Sequence, residues 1–122
     1  MVFRLAAALV PLMIASAASA QWVPGSEITG QQVQVQTNGV TNIITFEPNG
    51  VARISSPSGA KVVPATWTAA NGELCLTTAG TFDCYAYTAP FQAGQPVDLL
   101  SRCAVRSRWL PSAVTLPPGE RG

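Results

Sequence analysis

A succession of turn signals separates short β-rich runs along the chain: Asn38-Gly39, Pro48-Asn49-Gly50, Pro57-Ser58-Gly59, Asn71-Gly72 and Ala79-Gly80. Gly and Asn tolerate the positive φ angles that tight turns demand, and β-branched residues do not. No stretch after residue 20 sustains a 3.6-residue apolar repeat. The pattern therefore predicts an all-β domain, a small antiparallel meander of about seven or eight strands closed as a barrel or stacked as a sandwich. Strands are expected near 31–37, 41–47, 51–56, 61–69, 73–78, 81–88 and 97–110, the last with room for one break.

Two hairpins fix their own register. A three-residue loop at Pro48-Asn49-Gly50, with a type I turn and Gly50 left-handed, sets Phe46 opposite Ala52 and Ile44 opposite Ile54 on one apolar face. A two-residue loop would oppose Phe46 to Arg53 and mix the faces, so the longer loop is preferred. A two-residue loop at Asn71-Gly72 sets Ala69 opposite Leu74 and Trp67 opposite Leu76, again on one face.

The first twenty residues read as a cleavable leader. Arg4 supplies the positive start, Leu5 to Ile14 the apolar stretch, and Ala18-Ser19-Ala20 a small-x-small cleavage site. The apolar run is shorter than the roughly 20 residues a spanning helix needs, and Pro11 interrupts it. The expected organisation is a signal peptide at 1–20, a single β domain at 21–111 and a flexible tail at 112–122. That places the mature chain in the periplasm or outside the cell, with no integral membrane segment. Of the seven Lys and Arg residues, Arg4 falls in the leader, and the remainder equal the six Asp and Glu residues in number. A neutral mature chain gives no electrostatic reason to expect nucleic acid as a partner.

An exported chain is one in which disulfides persist. In LCLTTAGTFDCY a two-residue loop at Ala79-Gly80 opposes Cys75 to Cys84 at a non-hydrogen-bonded pair, where Cα atoms lie about 4.5 Å apart. A Cys75–Cys84 disulfide is expected. Cys103 is left over, with a buried free thiol as the plain expectation and an intermolecular bond as the sharper one.

The chain has no His, which excludes Ser-His-Asp and Cys-His nucleophiles and His metal sites. It has no C-x-x-C motif, no Gly-rich phosphate loop and one lysine, Lys61. Glu47, Glu73 and Asp83 lie at or near turns, where solvated acids are common. No cofactor, metal or catalytic residue is expected. Two surface sets remain as a candidate binding face. Arg102, Arg106 and Arg108 share parity, so one unbroken strand would present all three together. They read either as charges blunting an edge strand or as an anion-binding patch. Among the aromatics Trp67, Tyr85, Tyr87 and Trp109, Trp109 joins that candidate face, as does Trp22, expected to be the most exposed tryptophan.

The order F-E-P-N-G at 46–50, Trp67, Leu74-Cys75 and Cys84-Tyr85 resembles small exported, largely uncharacterised bacterial domains of lipocalin-like β structure. That resemblance implies a non-catalytic envelope or extracellular role and carries over no functional residues. The sequence thus points to an exported binding or interaction domain, an inhibitor or accessory protein, whose partner is a protein or small ligand it does not name. The alternatives are a small-barrel carrier of an apolar ligand and a carboxylate-dependent hydrolase.

Overall fold

The computed structural model describes residues 21–116, so the leader at 1–20 and the end of the expected tail lie outside the described residues. The chain forms β1 (Gln31–Thr37), β2 (Val40–Phe46), β3 (Val51–Ser55), β4 (Val62–Ala70), β5 (Glu73–Thr78), β6 (Thr81–Ala86), β7 (Val97–Leu100) and β8 (Arg106–Pro111). All pairings are antiparallel, in the order β6-β5-β4-β3-β2-β1-β8-β7. The sheet curls until its edges meet. Tyr85 of β6 bridges Ser101, and the Arg102 N–H donates to the Cys84 carbonyl at 2.9 Å. The result is a nearly closed barrel.

The hairpin registers are those the turns predict: Phe46 faces Ala52, Ile44 faces Ile54, Trp67 faces Leu76, and Cys75 faces Cys84. Turn geometry departs from expectation at Pro48-Asn49-Gly50 and Ala79-Gly80 and matches it at the two Asn-Gly turns. Asn38-Gly39 and Asn71-Gly72 are left-handed at both residues, the mirror-image turn that matches strand twist. The Pro48-Asn49-Gly50 loop has Asn49 left-handed as well as Gly50, at φ 67° and 78°, in place of a type I turn. Its three-residue length is unchanged, so the register is too. At Ala79-Gly80 neither residue is left-handed.

The strand expected over 97–110 is broken. Ser101 and Val105 pair around a tight turn in which Ala104 is left-handed at φ 65°, and the Ser101 hydroxyl accepts from the Val105 N–H at 3.1 Å. Arg102 therefore sits in the turn, while Arg106 and Arg108 lie on β8. Because β8 is paired to β1 on one side and β7 on the other, these arginines do not blunt an edge.

Alternate residues of each strand point inward and fill the barrel. Val33, Ile44, Phe46, Ala52, Trp67, Leu74 and Trp109 are buried there. Phe46 meets Trp67 edge-on at 5.0 Å and stacks towards Trp109 at 6.5 Å, and Tyr85 meets Trp109 edge-on at 5.0 Å. Burying each such ring stabilises the fold by about 1.5–3 kcal/mol before entropy is counted. The antiparallel order also sorts the irregular chain. Residues 22–30, 87–96 and 112–116 all gather at one end, together with the turns at 48–50 and 71–72, and the turns at 38–39, 56–61, 79–80 and 101–105 lie at the other.

Candidate functional site

The segment before β1 covers the irregular end of the barrel. Ile28 is fully buried, and Gly25 adopts φ 90° where an added Cβ would lie 3.0 Å from the Trp67 ring. Only glycine suits both the conformation and the contact. This turn carries Glu27 inward, where it is only 5% exposed. Its Oε1 accepts from the Trp22 indole N–H at 2.8 Å. Its Oε2 accepts from the Tyr87 hydroxyl at 2.5 Å and from the Phe91 N–H at 2.9 Å. The Tyr87 oxygen in turn accepts from the Gly25 N–H at 2.9 Å. Burial, reinforced by the neighbouring Glu27 carboxylate, pushes the Tyr87 phenol well above its usual range.

Beside this cluster lies a cleft of about 480 Å³, walled by Trp22, Glu27, Pro90, Phe91, Val114 and Leu116. Glu27 is the one carboxylate among the described residues lining it. The far wall is fixed by the Thr115 N–H donating to the Glu27 carbonyl at 2.8 Å, and by the Gln31 amide donating to the Thr115 hydroxyl at 3.0 Å. Trp22 meets Tyr87 edge-on at 5.2 Å, and Tyr87 stacks on Phe91 at 5.4 Å, so the rings continue from the lip into the core.

The other residues singled out in the sequence separate. Trp22 is half-buried at the cleft, and Trp67 and Trp109 are buried, so it is the most exposed tryptophan. Trp109 is no surface anchor. It faces the barrel interior between Val35 and Val97, fully buried, with Phe91 stacked at 5.8 Å and no hydrogen-bond partner for its indole N–H. Arg102 makes a two-pronged pair with Glu73, at 2.9 and 2.5 Å, and Arg108 pairs with Asp98 at 3.0 Å. The Arg102 hydrogen bond holds the Glu73 carboxyl below its ordinary value, and Arg108 does the same to Asp98. Arg106 alone of the three has no ion-pair partner among the described residues. Two of the three guanidinium groups are thus already occupied by carboxylates.

Cys75 and Cys84 form the expected disulfide, with Cα atoms 4.0 Å apart. The Glu73 carboxylate approaches both sulfurs within 4.8 Å, but bonded sulfurs offer no thiolate to a metal. Cys103 is free and, against expectation, exposed, because it lies in the β7–β8 turn rather than within a strand. Its thiol donates to Asp83, which pushes its pKa up and lowers its reactivity. Asp83 points inward at the seam and accepts from the Cys84 N–H at 2.9 Å and the Cys103 N–H at 3.2 Å. Burial alone would raise its carboxyl. The Ser101 hydroxyl, the Cys103 N–H and thiol and the Cys84 N–H outweigh burial and hold it below the usual aspartate value. Asp83 is the clasp of the barrel.

Glu27 escaped sequence reasoning. A single acid in a turn-rich segment reads as solvated, and only the flanking Gly25 and Ile28 hint that this turn folds inward. No family model, curated protein or solved structure matches the chain.

Proposed function

We propose that this chain is an exported, non-enzymatic binding module of the bacterial envelope or exterior that engages its partner at the cleft beside Trp22. The observation that carries the reading is the contrast between a barrel interior filled with rings and an apolar cleft left open at one end. Sites for recognition are concave, mostly apolar and supplied with a few fixed polar groups. This cleft has that make-up, and a half-buried tryptophan at its lip is a common anchor of interfaces.

Export is supported by the leader-like residues 1–20 and by the Cys75–Cys84 bond, which persists in oxidising compartments. Among the described residues no helix is long and apolar enough to cross a membrane. A non-catalytic role is supported by the way the two buried carboxylates are used. Glu27 and Asp83 are each surrounded by fixed donors that hold the fold together. Kinship with lipocalin-like exported domains belongs to the same proposal, resting on the motif order over 46–85. The second reading, a carrier of a small apolar-bodied ligand, is favoured by the cleft volume and would use the barrel end rather than its interior.

The test is co-purification of the exported protein with its envelope partner. Ala93→Arg fills the cleft from an exposed wall position, and Ala60→Arg adds the same charge at the opposite end. Loss of the partner with Ala93→Arg alone supports the reading. Retention with Ala93→Arg overturns it.

A further inference from the structure

We propose that the cleft binds a small organic cation, an ammonium or guanidinium group on an apolar body, with its charge seated against Glu27. The inference rests on the cleft being the binding face and names the chemistry of its guest.

Among the described residues Glu27 is a buried carboxylate compensated only by neutral donors: an indole N–H, a phenol and a backbone N–H. The ion pairs among the described residues engage Glu47, Glu73 and Asp98 instead. Lys61 and Arg106, which join none of those pairs, lie at the end of the barrel opposite the cleft. A buried charge without a counter-charge is costly, and a cation brought to it in a weakly screened site interacts strongly. Acceptor capacity remains as well. A carboxylate offers about four lone-pair positions, and the protein donates to three, leaving Oε1 with the Trp22 N–H alone. The walls suit the rest of such a molecule. Pro90, Phe91, Val114 and Leu116 take an apolar stem, and aromatic faces attract a cation directly. The volume, about 480 Å³, falls within the range of small-ligand sites. A ligand with a carboxylate would meet Glu27 as a like charge and be rejected.

Calorimetric titration with n-hexylammonium, 1-hexanol and hexanoate separates charge from apolar fit. The expected result is that the ammonium binds at least ten-fold more tightly than the alcohol, loses affinity with added salt, and that hexanoate does not bind. Glu27→Gln should remove the preference for the ammonium. Because that variant also disturbs the Tyr87 and Phe91 contacts, Gln92→Lys provides a second test. It places a cation on an exposed lining position and should exclude n-hexylammonium while the fold stays intact. Equal binding of ammonium and alcohol overturns the cation and leaves the cleft standing as a binding face. Failure of both to bind overturns the small cation, while the cleft as a binding face stands or falls with the Ala93→Arg co-purification. A doubly capped Ala-Lys-Ala peptide binding ten-fold more tightly than n-hexylammonium overturns the small-molecule guest in favour of a basic side chain.

Discussion

The hydroxyl of Tyr87 lies 2.5 Å from the carboxylate of Glu27, joining the segment before β1 to the chain that leaves β6. One phenol closes the irregular end of the barrel by donating to Glu27 and accepting from Gly25. The lip of the cleft depends on that link, since Trp22 and Phe91 reach the same carboxylate.

Tyr87→Phe removes the donor and leaves the Gly25 N–H without its acceptor. A hydrogen bond to a charged group contributes about 1.5–3 kcal/mol, and the orphaned amide adds to the loss. Urea denaturation should show a destabilisation of about 2–3 kcal/mol with an unchanged m-value. The raised phenol also sets an alkaline limit. Its stabilisation is complete below the unfolded tyrosine value, about 10, and falls as pH rises beyond it. The Phe variant should lose part of that alkaline dependence, and an identical dependence would contradict the assignment.

The Cys75–Cys84 bond closes a short loop, for which the chain-entropy relation gives about 2.7 kcal/mol. Non-reducing peptide mapping should recover that linkage, with Cys103 alkylated without reduction. The double Ser variant should be less stable by up to this amount and keep its fold, because the hairpin register is set by the turn. A peptide linking Cys103 to either partner would contradict the topology.

Acid should open the seam of the barrel. The Asp83 carboxyl is held below its unfolded value, so its contribution is fully present above about pH 4 and is lost as pH falls through the folded value. Glu73 and Asp98 are depressed too and add to the same slope. Asp83→Asn should be destabilised at neutral pH and lose less stability than the wild type between pH 4 and lower values. Denaturation series at several pH values measure this, and parallel curves for the two proteins would contradict the clasp.

Much of the barrel was legible because its information is local. Asn71-Gly72 dictates the pairing of Trp67 with Leu76, and the spacing of Cys75 and Cys84 about Ala79-Gly80 dictates their bond. What escaped depends on contacts between distant segments. Parity placed Arg102 with Arg106 and Arg108, but the left-handed Ala104 turn broke the strand that parity assumed. Trp109 looks the same in sequence whether it faces water or core, and closure of the sheet decided that. Glu27 is held by Tyr87 and Phe91, more than fifty residues away, which no local pattern records.

The central claim is that recognition occurs at the barrel end, and the three indole N–H resonances report on it directly. Trp22 lines the cleft, whereas Trp67 donates to the Glu47 carbonyl and Trp109 is enclosed in the core. Nitrogen-15 spectra of residues 21–122 titrated with n-hexylammonium should show the Trp22 indole signal moving along with the Phe91 and Thr115 amides. The Trp67 and Trp109 indole signals should stay in place. Shifts centred on Arg102, Arg106 and Arg108 with Trp22 unmoved would place recognition on the barrel wall and contradict the account.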